Sequence, residues 1–378
     1  MYTQTQPREL VMAGPYAQFL IVELLRREDQ RENIRNLRIE RRILRDTSDP
    51  FSLNEIEFIA NFRLNKEAAR NLINELIPYT VHSIKNIPLS IAVFCTLSFL
   101  GHGSYQRNVG NSMFIALSQP SVSRCIKKIT LAIATNLMRQ WIRLPQTNEQ
   151  RAQYRHAFQR KYRMPNILGA VDGTHVGIVK PQENENTYVN RKGYHSINVQ
   201  IICDSTLKII NVVARYPGSS HDSFVWRYSR VAHVMKANYE NGDHISKLIG
   251  DSGYPCLPWL LVPLRNPNTP AQVRFNNTFK TTRSCVECCI GILKGRFRCL
   301  LKDRILHYTP GNASRIVMAC AILHNIVIHY KTNDNVQPHW DDIDLQPIHH
   351  LVPEHGDLHY RNLGQLARNQ YIENNFHI

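Results

Sequence analysis

Three carboxylates, Asp172, Asp251 and Glu287, stand in otherwise apolar or basic segments of a chain whose formal net charge is +16. Asp172 lies in Ile167-Leu-Gly-Ala-Val-Asp172-Gly-Thr-His175 and Asp251 in Leu248-Ile-Gly-Asp251-Ser-Gly-Tyr-Pro255. Glu287 lies in Arg283-Ser-Cys-Val-Glu287-Cys-Cys-Ile-Gly-Ile-Leu-Lys-Gly-Arg-Phe297. An acid at the end of an apolar run sits at the edge of a core, where it is costly unless it is paired or holds a cation. Hard divalent cations such as Mg²⁺ or Mn²⁺ take oxygen donors. Three carboxylates can hold two such ions, one activating a water or a 3′-hydroxyl and the other stabilising the leaving oxygen during in-line attack at phosphorus. That is nuclease or strand-transfer chemistry, and it needs no histidine base. Each acid taken singly also has a plain structural role, as a turn residue or a surface helix charge; the joint arrangement is what points to chemistry. A fourth acid, Asp222 in Pro217-Gly-Ser-Ser-His-Asp222-Ser-Phe, reads equally as a helix-start acid and as a further metal ligand.

These acids can act together only if the fold brings them together. β-Branched runs predict strands over residues 166–179, 196–204 and 207–216, with Cys203-Asp-Ser-Thr-Leu-Lys208 as a hairpin connection. A helix over 223–239, a short buried strand over 247–250 and a long helix over 284–301 follow. This α/β order is that of a ribonuclease H-like catalytic domain. There the centre of the first strand and the end of the fourth lie side by side, with a later helix across them. On that helix Val286, Ile290, Leu293, Phe297 and Leu300 form the buried stripe, and Glu287 lies at its border. Gly291, one turn on, removes a side chain beside the acid. Arg283, Lys294 and Arg298 fall on one flank, a line of cations able to hold a phosphate backbone. The reading requires the three carboxylates to converge within reach of a pair of cations. Wide separation, or arginine links that leave no room for an ion, would defeat it.

The first 165 residues read as an α-helical N-terminal region. Residues 21–46 form a charged helix with a narrow apolar stripe of Ile34, Leu37, Ile43 and Leu44. Residues 106–129 read as helix, short turn, helix, with Ser118 as N-cap and Pro120 near the first helical position. This resembles a helix-turn-helix whose second helix offers Ser121, Ser123, Arg124, Lys127 and Lys128 outward and packs Val122, Ile126 and Ile129 inward. A purely structural helix pair fits the same residues. Residues 166–331 form the catalytic domain, and 332–378 an acidic, largely irregular tail in which only 363–376 is suited to a helix.

Charge follows the same division. Lys and Arg exceed Asp and Glu by 24 to 13 up to Pro165 and by 20 to 10 over 166–331, whereas the tail has 2 against 7. A basic folded part attracts polyanions, so DNA is the leading partner class. Nine scattered cysteines and no secretory leader predict reduced thiols in a nuclear protein, or one also present in the cytoplasm. The longest apolar run, 90–100, is too short to span a bilayer, so no membrane contact is expected. Cys285, Cys288, Cys289 and Cys299 lack the separated ligand pairs of a zinc site and read as small packing residues. Ala321-Ile-Leu-His324-Asn325 reads as a core helix with a satisfied polar pair.

Val171-Asp-Gly-Thr-His175, Tyr188-Val-Asn-Arg-Lys-Gly-Tyr-His-Ser-Ile-Asn-Val-Gln200, Pro217-Gly-Ser-Ser-His-Asp222, Gly250-Asp-Ser-Gly-Tyr-Pro255 and Val286-Glu-Cys-Cys-Ile-Gly-Ile-Leu-Lys-Gly-Arg-Phe297 together resemble the PIF/Harbinger transposases and the nucleases derived from them. The resemblance covers about residues 107–330. It implies that Asp172, Asp251 and Glu287 form a DDE catalytic triad, with thirty-five residues between the last two, and that Asp222 belongs to the metal site. It further implies a nuclear protein that works with a Myb-like DNA-binding partner. A homo-oligomer is left open, as is a host-domesticated regulator that keeps the fold without catalysis. Cys288-Cys289 departs from the charged or small residue plus aromatic that usually follows the acid; no ligand is lost.

Overall fold

Up to Pro165 the described chain is helical and contains no strand, as the apolar spacing predicts. The computed structural model describes residues 15–80, 87–339 and 355–377. Its first helices are α1 (Pro15–Thr47), α2 (Glu55–Phe62), α3 (Lys66–Thr80), α4 (Leu89–His102), α5 (Gln106–Gly110), α6 (Gln119–Ala132), α7 (Met138–Trp141) and α8 (Asn148–Tyr162). The expected stripe of α1 points outward, with Ile34, Leu37, Ile43 and Leu44 each roughly half exposed.

The pair expected over 106–129 has a different shape. α5 is one turn long, and residues 111–118 separate it from α6 in place of a short turn. Gly110 is the reason: Leu117 N donates to its carbonyl at 3.0 Å, and a Cβ there would lie 2.3 Å from the Leu117 oxygen. On α6 Val122, Ile126 and Ile129 are buried, while Arg124 and Lys127 are exposed and Lys128 is half-buried.

The strands are β1 (Ile167–Gly177), β2 (Ser196–Cys203), β3 (Ile209–Pro217), β4 (Lys247–Ile249) and β5 (Leu260–Leu261), with the short α9 (Glu185–Tyr188) between β1 and β2. They form one sheet in the order β3-β2-β1-β4-β5. β1, β2 and β3 pair antiparallel, β1 and β2 joined by the segment that carries α9 and β2 and β3 by a short turn, whereas β4 joins β1 in parallel and β5 joins β4 in parallel. The expected turn at 203–208 is present, with Leu207 at φ +69°.

Two element boundaries differ from expectation. The helix expected over 223–239 is two helices, α10 (Asp222–Arg227) and α11 (Arg230–Glu240), because Ser229 breaks the run: its Oγ donates to the Trp226 carbonyl and caps α11 at Ala232 N. The helix expected from Ser284 begins fourteen residues earlier: α12 spans Pro270–Arg296, with Thr269 accepting from Gln272 N as N-cap and Pro270 in the first turn. Its inner face runs on from Ala271, Phe275 and Phe279 to Val286, Ile290 and Leu293, all buried.

α13 (Pro310–His329) is long and apolar enough to cross a membrane by length and composition, yet most of it is buried inside the fold. Its Asn325 side chain donates to the Trp141 and Ile209 carbonyls and accepts from Ile209 N. The tail is less irregular than expected. α14 (His355–Phe376) is a helix of 22 residues whose Tyr371, Ile372 and Phe376 are buried in the main core, and Tyr371 Oη donates to the Pro165 carbonyl. That core is a single cluster running from Phe58 to Phe376, so the divisions at 165 and 331 do not separate independent cores. Residues 333–339 also pack onto α12. A Cβ on Gly291 would lie 3.0 Å from Pro338 Cβ, so this glycine admits the returning chain and does not serve to clear space beside Glu287.

Candidate active site

Strand register brings the two aspartates together. Ala170 pairs with Ile249 across the parallel β1–β4 contact, and two residues further along each chain stand Asp172 and Asp251. Asp172 is in the middle of β1 opposite Ile201 and is 8% exposed. Asp251 sits just past β4, where its carboxylate accepts from Gly253 N at 3.0 Å. α12 crosses this part of the sheet and contributes Glu287 from the border of its buried stripe. The three carboxylates therefore lie together where the middle of β1, the end of β4 and α12 meet.

Arg283 is where the expected arrangement fails. Its Nη1 donates to Asp172 Oδ2 at 3.0 Å and its Nη2 to Glu287 Oε1 one turn along the same helix. The residue expected on an outer phosphate-holding flank is thus inside the acid group, spanning two of its members. Burial works against the guanidinium charge, but Asp172, Glu287 and Asp251 outweigh it and push the Arg283 pKa up. One arginine does not balance the group. Burial drives the Asp172 carboxyl well above the usual carboxylate range; Arg283 opposes this, and Asp251, Asp222 and Glu287 add to it. Asp251 is raised as well, first by burial.

Asp222 approaches β1 beside Asp172. It opens α10, its Oδ1 accepts from Asn198 Nδ2 at 3.0 Å, and a Cβ on Gly173 would lie 2.3 Å from that same oxygen. Gly173 is therefore required by the close approach of a carboxylate. Asn198 and Gln200 pair with His175 and Gly173 across the β1–β2 ladder and so share the face of Gly173. Neither stands out in the sequence as a site residue, although a polar residue inside the apolar run 197–202 is a usable signal. Gln200 is fully buried with neither amide atom hydrogen-bonded, and the buried Thr174 Oγ1 is likewise unpaired. Tyr254, three residues after Asp251, is a further neighbour that local pattern does not single out. Its buried hydroxyl has no hydrogen-bond partner, and burial, reinforced by Asp222, Asp172 and Asp251, raises its pKa far up.

The remaining cations do not form one flank. Lys294 is 2% exposed and donates from Nζ to the His175 carbonyl at 2.9 Å, tying α12 to the end of β1; a buried, bonded ammonium is not on a phosphate-contact surface. Arg298 is exposed but lies beyond the end of α12, in the 3₁₀ turn Arg298–Leu300, because the helix stops at Phe297. Cys285 and Cys289 are buried as packing residues, Cys285 4.0 Å from the Cys203 sulfur and Cys289 against the Leu207 carbonyl.

Among the described residues, no three His, Cys, Asp or Glu side chains stand ready-made around a single metal position. The donor chemistry nevertheless fits a hard divalent cation. Four acids converge where β1, the end of β4, α10 and α12 meet, Asp172 carries a burial cost that a monovalent guanidinium offsets only in part, and the orphaned Thr174 Oγ1 lies two residues further along β1 on the same face as Asp172. A cation held there would share Asp172 and Glu287 with Arg283.

Residues 171–325 match the family described as DDE superfamily endonuclease. Such a domain implies a ribonuclease H-like fold, with which the mixed five-stranded sheet agrees, and its superfamily generally uses divalent metals. The chain is 36% identical over 240 residues to the human protein named "Putative nuclease HARBI1", covering 63% of this chain and 67% of that one. The mouse protein of the same name is 34% identical over 273 residues, covering 72% and 74%. In Arabidopsis thaliana the protein named Antagonist of Like Heterochromatin Protein 1 is 27% identical over 185 residues, covering 45% and 46%. No solved structure matches.

Proposed function

Because the chain belongs to the Harbinger transposase-derived nucleases of the DDE superfamily, we propose that it is a divalent-metal-dependent DNA endonuclease that cleaves phosphodiester bonds. The observation that carries this reading is the convergence of Asp172, Asp251 and Glu287 from β1, the end of β4 and α12, with Asp222 beside them. Asp172, Asp251 and Glu287, with Asp222, would hold the cations. When bound, Mg²⁺ or Mn²⁺ supplies charge stabilisation at phosphorus and lowers the pKa of the attacking hydroxyl.

The chain's own groups prepare that site. Asn198 holds one oxygen of Asp222 and Gly253 N holds one oxygen of Asp251, so each carboxylate presents a fixed second oxygen. Arg283 neutralises Asp172 and Glu287 in the metal-free chain, and with those acids holding a cation its guanidinium, on the same helix as Glu287, would stand within a turn of them to meet phosphate oxygens. Arg124, Lys127 and Lys128 on α6, with Arg298, supply DNA contacts away from the reacting group, α6 acting as the second helix of a helix-turn-helix variant. Nuclear residence, a Myb-like partner for site recognition and self-association belong to the same reading.

A second reading is a DNA-binding regulator without catalysis. It is favoured by the seat of Arg283 among the acids and by the name of the Arabidopsis relative. Nicking of supercoiled plasmid separates the two. The nuclease converts it to open circles with Mg²⁺ or Mn²⁺ and not with chelator, and Asp251→Ala and Glu287→Gln abolish the product while leaving DNA affinity largely intact. Undiminished cleavage by both variants rules out this site. Absence of any metal-dependent product from the wild type, alongside salt-sensitive DNA binding, supports the regulator.

A further inference from the structure

Beside the acids lies a second built feature, a cavity of about 450 Å³, open to solvent on one side and lined by the loop after Asp251, the start of α10, the segment after β5 and α14. Its wall is continuous with the site: Ser223 follows Asp222, and Ser252, Gly253 and Tyr254 follow Asp251. Three arginines line it, Arg265 exposed after β5 and Arg361 and Arg368 from α14. Arg368 fixes the floor, its Nη1 donating to the Val262 and Pro263 carbonyls at 3.3 and 3.2 Å, while its buried Nε has no partner. The hydroxyls of Ser223 and Tyr254, residues only 7% and 4% exposed, are also buried without a hydrogen-bond partner. α14 is seated closely enough to make this a fixed wall: a Cβ on Gly364 would lie 2.4 Å from the Cys256 carbonyl oxygen.

Guanidinium groups suit the oxygens of a phosphate, which they meet with charge-assisted hydrogen bonds. We infer that this cavity holds a phosphate group of the DNA strand next to the bond being cut, with Arg265 and Arg361 pairing its charge. The inference rests on the nuclease reading for the identity of the strand, but the cavity's part in DNA binding can be measured without cleavage. The acids repel a polyanion, and the arginines, lining a cavity whose wall begins one residue beyond two of those acids, give the strand a reason to lie across them. α14, in the otherwise acidic C-terminal stretch, thereby becomes part of the DNA-binding surface.

The test is fluorescence anisotropy with the full chain and a labelled duplex carrying a single-stranded extension, in EDTA, over a range of salt. Arg265→Gln with Arg361→Gln is expected to weaken binding on the order of tenfold and to lower the salt slope by about one to two, since each arginine removed leaves one phosphate un-neutralised. A folded double variant with wild-type affinity and slope overturns the inference. Should Arg361→Gln disturb folding, Arg265→Gln on its exposed segment decides alone by the same slope. Plasmid nicking by the wild type is scored in parallel. Nicking with unaffected variants sinks the cavity and spares the nuclease, whereas lost affinity with no wild-type nicking sinks the nuclease and spares the cavity.

Discussion

Arg283 on α12 donates to Asp172 on β1 across 111 residues of chain, at 3.0 Å, with the same guanidinium bound to Glu287 one turn away. A cation already occupies the middle of the acid group, and it is covalently part of the protein. Metal-free stability and metal affinity are therefore opposed through this one side chain.

Arg283→Gln should destabilise the chelator-treated protein by roughly 2 kcal/mol, below the 3–5 kcal/mol typical of breaking a fully buried pair because the side chain is still 19% exposed. Thermal melts with and without Mn²⁺ check it. Manganese should recover more melting temperature in the variant than in the wild type; an equal loss in both conditions would show that Arg283 does not compete with a cation.

Asp172 gives a pH dependence of definite sign. Its folded pKa is raised, so the stability it contributes is fully present below the unfolded value of about 3.9 and is lost as pH rises through the folded value. Relative to Asp172→Asn, the metal-free wild type should lose ground from about pH 4 upward. Saturating Mg²⁺ should remove most of that difference. Denaturant midpoints of both proteins across pH provide the measurement, and parallel curves would contradict burial of the Asp172 charge as the cause.

His324 works in the opposite direction. Burial, aided by Arg296, lowers its pKa to about 3; Nε2 donates to the Leu207 carbonyl and Nδ1 accepts from Arg296, which also pairs with Asp334. A depressed histidine contributes stability above its unfolded pKa of about 6.5 that is lost as pH falls toward about 3. His324→Gln keeps a donor and an acceptor and should flatten this part of the acid limb, read by circular dichroism. A limb of unchanged steepness would place the acid sensitivity elsewhere.

Gly173→Ala drives a methyl group into Asp222 and should abolish nicking while costing about 1–3 kcal/mol. Adding Asp222→Ala removes the collision, so the double variant should be more stable than Gly173→Ala alone though still inactive. Simple additivity of the two substitutions would mean that the carboxylate does not sit over this glycine.

How much of the site is legible in the sequence depends on distance along the chain. Apolar runs ending in an acid and a turn mark Asp172 and Asp251, and the four-three spacing of Val286, Ile290 and Leu293 puts Glu287 at a helix border; all three positions follow from local periodicity. The same spacing gives Arg283, Lys294 and Arg298 a common flank, and there it fails. Periodicity tells which face of a helix is buried, not what that face meets. Lys294 is buried because the end of β1 offers it a carbonyl, and Arg298 leaves the flank because the helix stops at Phe297. Residues 270–283 do not read as helix because asparagines and threonines dilute the Phe275–Phe279 stripe, although Thr269-Pro270 is a start signal.

The sequence by itself determined the strand ends, the acids on them and the family they belong to. Tertiary structure alone decided that an arginine stands among those acids, that Asp222 presses on Gly173 and that the C-terminal helix walls an arginine-lined cavity. Each of these depends on sheet register and helix crossing, which set distances between residues tens to hundreds of positions apart, where no local pattern of side chains carries the information.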